Sequence, residues 1–163
     1  MNIRLFRYGD EPALFAVFHS AIHQIASRDY SPEQINAWAP TDLDHELWAQ
    51  RMRGINPFVA ELGSEIVGYA DIQPNGYVDH FFVSGLHPRR GIGRALMNRI
   101  HTEAKQRQIE QLTSNVSLTA QPFFTYFGFE IVEQRQPILR GVTLSNAFMR
   151  KNLASFLNPQ SKI

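Results

Sequence analysis

Apolar and polar side chains alternate over residues 3–7, the two-residue period of a short strand. Gly9-Asp10-Glu11-Pro12 follows, with Asp10 expected as an N-cap and Pro12 tolerated in a first helical turn. Leu14, Phe15, Val17, Phe18, Ala21, Ile22 and Ile25 then recur at helical spacing to about Ser27. Ser31-Pro32-Glu33-Gln34 marks a second helix start: Ser31 caps, Pro32 takes the first helical position, and Gln34 completes a capping box. That helix carries Ile35 and Trp38 and must stop near Pro40. A third is predicted over 44–53, burying Leu47 and Trp48.

Beyond residue 57 the period shortens. Residues 58–62 and 65–72 read as strands joined by a tight Gly63-Ser64 hairpin turn. A further strand is predicted over 77–83, after the turn at Pro74-Asn75-Gly76. Residues 92–107 form an amphipathic helix that turns Ile92, Ala95, Leu96, Ile100 and Ala104 inward. A strand over 112–117, a short helix over 120–127 and strands over 129–133 and 140–151 complete the pattern. Hairpins mixed with helical crossovers predict an α/β architecture, a mixed sheet with helices on both faces. With no repeat, low-complexity tract or linker, residues 1–152 read as a single domain and 153–163 as a C-terminal tail.

Composition narrows the function. The 163 residues are 44% apolar and include 12 Phe, 5 Tyr and 2 Trp, enough for a sizeable core and unlike a disordered chain. No cysteine is present, so disulfides, thiolate metal sites and cysteine nucleophiles are excluded. No apolar run approaches the roughly 18 residues of a membrane span, and Arg4 and Arg7 interrupt the stretch a signal peptide would need. A cytoplasmic protein with no membrane partner is the expectation. The net charge of +1 argues against a general nucleic-acid coat. Yet between Ser84 and Gln108 six basic residues face the single Glu103, a local charge of +5. Such a concentration suits a compact polyanion, the alternative being a solvated basic helix face.

Overlapping that segment is Val83-Ser84-Gly85-Leu86-His87-Pro88-Arg89-Arg90-Gly91-Ile92-Gly93-Arg94-Ala95-Leu96-Met97. A buried strand runs into a Gly- and Arg-rich loop and then directly into a helix. Gly91 and Gly93 let the backbone approach a ligand, and the first helical turn offers unpaired N–H groups at the positive dipole end. Backbone donors, with Arg89, Arg90 and Arg94 beside them, favour a phosphate site over an ordinary strand-to-helix turn that uses Gly only for sterics. It is neither a P-loop, because Arg94-Ala95 stands where Lys-Ser/Thr is required, nor a dinucleotide fingerprint, because Leu96 stands where the third Gly belongs.

This loop resembles the pyrophosphate loop of GNAT-superfamily N-acetyltransferases, Gln/Arg-x-x-Gly-x-Gly/Ala at a strand-to-helix junction. Ser117-Leu118-Thr119-Ala120-Gln121-Pro122-Phe123-Phe124-Thr125-Tyr126-Phe127-Gly128-Phe129 is similar to the family's later helix and turn. The run from Tyr30 to Trp38 and the closing Arg140-Gly141 resemble a bacterial, YafP-like subgroup. Two departures stand out. Pro88 occupies the usual Gln/Arg position, although a shifted register beginning at Arg90 also fits. Phe124 occupies the position at which many relatives carry a tyrosine that protonates the leaving thiolate.

The resemblance implies a GNAT fold whose mostly antiparallel sheet splays between two strands. It also implies acetyl transfer from acetyl-CoA, without a metal, to a primary amine of a small molecule or peptide. Because family members often form dimers, a homodimer is among its implications. The pantetheine arm would lie in the splay against backbone groups of Phe82 and Val83, the diphosphate on Arg89, Arg90, Gly91, Ile92, Gly93 and Arg94, with Ser117 and Phe124 nearby. Period 2 places Tyr77, Asp79 and Phe81 on one strand face and Val78, His80 and Phe82 on the other. Asp79 is the expected general base, directly or through water, in apolar surroundings that raise its pKa. His80 is the reserve base or a core histidine. Tyr126 or Tyr77 would serve as general acid if one is used. Trp38 and Tyr30 could wall the acceptor pocket, although all of these residues also suit plain packing. His19 and His23, spaced i, i+4, have no third ligand at metal-site spacing. The alternative reading is a non-catalytic acyl-CoA-binding module, with Phe124 as its motive. A nucleic-acid binder would rest on the arginines alone.

Overall fold

A computed structural model describes residues 1–153; the expected tail from residue 154 onward lies outside the described residues. In chain order the elements are β1 (Asn2–Leu5), α1 (Glu11–Ser20), α2 (Pro32–Trp38), α3 (His45–Ile55), β2 (Phe58–Leu62), β3 (Glu65–Ala70), β4 (Tyr77–Val78) and β5 (Phe81–Val83). There follow α4 (Ile92–Gln106), β6 (Gln111–Ser117), α5 (Gln121–Tyr126), β7 (Glu130–Arg135), β8 (Ile138–Leu139), β9 (Val142–Thr143) and β10 (Asn146–Asn152). The strands form two four-stranded sheets, β1-β2-β3-β5 and β4-β6-β10-β7, and the small β8-β9 hairpin. All pairs are antiparallel except β4 with β6.

Period 2 sends alternate residues of β2 to opposite faces, and a bulge in β3 between Ile66 and Gly68 does the same for Val67 and Tyr69, two residues apart. Phe58, Ala60 and Val67 pack on α4 with Ile92, Leu96 and Ile100, while Val59 and Tyr69 pack under α1 and α3 with Leu14, Phe18, Trp48 and Met52. Both faces of the first sheet are therefore covered, as the mixed α/β expectation requires. On α4, Met97 is fully buried and Ala95 is only half-buried, a small rotation from the expected stripe. The Ser31–Gln34 capping box forms with both of its hydrogen bonds, and Gly63-Ser64 closes the β2–β3 hairpin as expected.

Four local expectations are corrected. Asp10 occupies the N-cap position, but its carboxylate is taken by the Arg4 guanidinium at 2.8 and 3.0 Å and by the Arg7 N–H, so it caps nothing. Leu47 is 62% exposed, because the inward stripe of α3 runs through Trp48, Ala49, Met52 and Ile55. The strand expected over 140–151 begins at Asn146; Arg140-Gly141 is instead the turn of the β8-β9 hairpin. The fourth matters most: residues 77–83 are two strands in two sheets. The buried Asp71 Oδ1 accepts the successive N–H groups of Asp79 (2.9 Å) and His80 (2.6 Å). Those two donors are lost to any continuing ladder, so the chain crosses from one sheet to the other at this point.

Candidate active site

The crossover opens a gap. β4 pairs with β6 only at Tyr77 and Val78, and β5 pairs only with β3. In the β3-β5 ladder the His80 carbonyl accepts from Asp71 N–H and Ser84 N–H donates to Val67, with Phe82 opposite Tyr69 between them. The alternation of an antiparallel pair then turns the N–H and C=O of Phe81 and Val83 away from β3, toward the unpaired side. That strand edge walls a cavity of about 500 Å³, the loop cavity, which continues past His87, Pro88, Arg89 and Arg90 to the first turn of α4.

At that turn Gly91 is the N-cap in the left-handed region, φ +72°, and accepts the Ala95 N–H through its carbonyl. The N–H groups of Ile92, Gly93 and Arg94 are the helix's unpaired first-turn donors, and all three residues line the cavity. A Cβ on Gly93 would stand 3.2 Å from the Phe123 ring, so glycine there lets α5 approach α4 closely. The loop is braced by His87, which faces Ser84 Oγ at 3.0 Å and Glu65 Oε2 at 3.3 Å. Arg89 and Arg90 have no ion-pair partner among the described residues. The result is a positively charged recess with backbone donors at its base.

A second cavity of about 490 Å³, the aromatic cavity, lies on the other side of a shared wall made by Trp38, Phe82 and Ser117, which line both. Phe18, Tyr30 and Trp48 add rings from α1–α3 and the turn before α2; the Phe18 ring centroid is 4.9 Å from that of Trp48 and 5.0 Å from that of Phe82. The Tyr30 hydroxyl donates to the Ser145 carbonyl and accepts the Leu118 N–H, tying the end of β6 to the start of β10 and fixing Ser117 between the cavities. Asp79 and His80 reach this cavity together, since the break in the strand ends the alternation that would have separated them.

These two groups differ in surroundings. Asp79 Oδ2 is 2.5 Å from the Arg51 guanidinium, so its setting is an ion pair rather than the apolar pocket expected. His80 Nδ1 faces the Tyr69 hydroxyl at 3.0 Å, and burial pushes its imidazole down to about 4 against the opposing pull of Asp79. Behind them Asp71 is fully buried, and that burial raises its carboxyl to about 6 despite the two backbone amides and the Gln73 side chain that donate to it. Asp71 and Arg51 went unread in the sequence. A lone acid inside the apolar run 66–72 was a legible signal for Asp71; Arg51, on a helix 28 residues away, offered none.

The GNAT acetyltransferase domain model matches residues 26–149. The chain belongs to the GNAT acetyltransferase family. An uncharacterized N-acetyltransferase of Escherichia coli (strain K12), YafP, is 33% identical over 150 residues, covering 92% of this chain and 95% of that one. A GCN5-related N-acetyltransferase from Rhodopseudomonas palustris superposes with a TM-score of 0.88 at 28% identity, covering 93% of this chain and 95% of that one. PaiA N-acetyltransferase from Thermoplasma acidophilum, in complex with coenzyme A, shares the fold with a TM-score of 0.68 at 18% identity, over 93% of this chain and 99% of that one.

Among the residues expected from the GNAT resemblance, Phe82, Val83, Arg89, Arg90, Gly91, Ile92, Gly93, Arg94, Ser117 and Phe124 all line the loop cavity. The Phe82 backbone is spent on β3, so Phe81 and Val83 present the free edge instead. Phe124 is buried at 3% exposure between Phe81 and Phe129. Neither tyrosine considered as an acid lines either cavity. The Tyr77 hydroxyl accepts from Asn115 Nδ2, and Tyr126 is 69% exposed with its hydroxyl 3.3 Å from Arg94. His19 and His23 stack at 3.9 Å between centroids, and no third metal-ligating side chain joins them among the described residues.

Proposed function

We propose that this GNAT acetyltransferase holds acetyl-CoA in the loop cavity and transfers the acetyl group to a primary amine seated in the aromatic cavity. The observation that carries the assignment is the shared wall: a phosphate-type recess and a ring-lined pocket with ionisable groups meet at Phe82 and Ser117. The coenzyme A bound by the Thermoplasma relative supports the choice of cosubstrate. On this reading the first-turn amides of α4, with Arg89, Arg90 and Arg94, take the diphosphate, and the free Phe81 and Val83 backbone groups take the pantetheine arm.

The amine attacks the thioester carbonyl, the N–C bond forms, the C–S bond breaks, and the thiolate leaves. A backbone N–H of the β5 edge steadies the oxyanion, a contribution of on the order of 100–1,000-fold in other acyl-transfer enzymes. Asp79 receives the amine proton, directly or through one water, and Arg51 fixes the carboxylate's orientation. His80 is neutral at pH 7, so the acceptor meets no second cation beside Asp79. No acid is assigned to the thiolate, because Phe124 carries no proton. The same reading places the reaction in the cytoplasm, where acetyl-CoA is made and consumed.

Calorimetry with acetyl-CoA and thiol release with a panel of amines test this. Acetyl-CoA is expected to bind and to raise Tm, and at least one primary amine to release thiol. Absence of both binding and a Tm shift at millimolar acetyl-CoA would remove the assignment of the loop cavity. Binding without release by any amine would favour the acyl-CoA-binding module instead.

A further inference from the structure

The wall of the aromatic cavity carries an imbalance of charge. Its one carboxylate, Asp79, is engaged by Arg51, while Arg140, which lines the same cavity, has no carboxylate partner among the described residues. Arg140 sits in the β8-β9 turn with φ +49°, ahead of Gly141 at φ +78°. A left-handed arginine is strained, and asparagine or glycine in this turn would largely avoid that strain. What the arginine supplies is its side chain. Nη1 donates to the Ala37 carbonyl at 2.6 Å, fixing the guanidinium beside Trp38 at the end of α2. A guanidinium has five N–H donors in a planar fork that matches a carboxylate, and one is accounted for.

We propose that the acceptor is an amino acid with a large apolar or aromatic side chain: Arg140 holds its carboxylate, the rings hold its side chain, and its amine is acetylated. This rests on the acetyl-transfer reading above. The step balances: the α-amine forms the N–C bond, its proton passes to Asp79, the C–S bond breaks, and coenzyme A leaves. The zwitterion brings one negative group to a wall with one unpaired positive group. A polyamine brings several ammonium groups to a wall whose single carboxylate is already engaged and whose two guanidinium groups, Arg51 and Arg140, repel them. A peptide N-terminus or an amino-acid amide lacks the adjacent carboxylate and leaves Arg140 without its partner.

Thiol release at saturating acetyl-CoA, with L-phenylalanine, L-phenylalaninamide, 2-phenylethylamine and spermidine as acceptors, tests the assignment. Phenylalanine is expected to exceed the other three in kcat/KM by on the order of tenfold or more, the weight of a charge-assisted pair. In Arg140→Gln the ratio of phenylalanine to 2-phenylethylamine should fall toward one, through KM rather than kcat. Arg140→Lys, which keeps the charge without the fork, should restore part of it. Spermidine or 2-phenylethylamine matching phenylalanine, or an unchanged ratio in Arg140→Gln, would overturn the inference and leave acetyl transfer standing. If no acceptor releases thiol, calorimetry of phenylalanine against the coenzyme A-loaded protein separates the two claims. Binding abolished by Arg140→Gln supports this site although the catalytic reading has failed; no binding overturns it as well.

Discussion

The loop cavity and the aromatic cavity are nearly equal in volume and share a wall, yet they are made of different material. The first draws its polar groups mainly from the backbone: first-turn amides, a free strand edge and two glycines, drawn chiefly from one stretch between Phe81 and Arg94. The second is side chains, gathered from α1, α2, α3, the crossover, the β8-β9 hairpin and β10. Backbone donors bind a phosphate of any bearer, whereas rings and guanidinium groups fit one shape and one charge pattern. The division explains how one fold can keep a cosubstrate while its acceptor site varies, and it can be broken one cavity at a time.

The largest effect is expected on the side-chain cavity. Asp79→Asn keeps the shape and removes the proposed proton acceptor, so kcat should fall on the order of 100-fold or more, while the Kd for acetyl-CoA stays within about twofold of wild type. Single-turnover acetylation and calorimetry read the two quantities separately. Unchanged turnover would move the base elsewhere, with His80 the next residue to replace.

The converse variant is Gly91→Asp. No heavy atom lies within 4 Å of a Cβ built there, so the side chain has room. Its harm is a negative charge at the proposed phosphate position and a φ of +72°, which aspartate adopts more readily than most residues. Affinity for acetyl-CoA should drop by on the order of a hundredfold. Gly91→Ala, with the strain but no charge, should lose much less. Equal losses in the two would mean that conformation, not phosphate electrostatics, explains the glycine.

The same division decides what could be read from sequence. A backbone site needs its glycines, capping position and charges at fixed local spacing, so the loop cavity was visible as a continuous motif. Ser31 with Gln34 and Gly63-Ser64 were visible for the same reason. Asp79 and His80 could be named as chemistry, but period 2 set them on opposite faces; the Asp71 carboxylate that breaks the strand is a tertiary contact with no local spacing. Arg51 meets Asp79 only because the Trp48 ring packs α3 against Tyr69 and His80, and Leu47 faces out because its helix is rotated from the expected stripe. Asp10 shows the reverse case, a capping residue overruled by Arg4 from a neighbouring strand.

Asp71 lines neither cavity and holds the crossover at Asp79 and His80. Its carboxyl is raised by burial from 3.8 to about 6, so the native state holds the proton more tightly than the unfolded chain. The stability this gives is full below pH 4 and is lost as pH climbs to about 6, an effect of about 3 kcal/mol. Asp71→Asn retains an oxygen for the two amides and has no proton to exchange. Wild type should therefore lose about 2 kcal/mol relative to the variant between pH 4 and pH 7, read by urea unfolding at each pH. A constant difference across that range would show that the native and unfolded carboxyls titrate alike, and the burial argument would fail.

The smallest effect is expected at Tyr126, the tyrosine nearest in sequence to Phe124. Tyr126→Phe deletes only an oxygen that is 3.3 Å from Arg94, and it leaves the ring under that guanidinium, 5.7 Å from its centroid. With 69% of the residue exposed and no part of it lining either cavity, the loss should stay within about 0.5 kcal/mol of stability and about twofold in kcat. A matching solvent-isotope effect in wild type and variant would add that no proton from this hydroxyl moves in the rate-limiting step. A fall in kcat of the size expected for Asp79→Asn would instead mean that α5 turns on binding acetyl-CoA and brings the hydroxyl to the sulfur. The wall between the two cavities would then be a moving part, and the separation of a backbone site from a side-chain site would hold only for the empty protein.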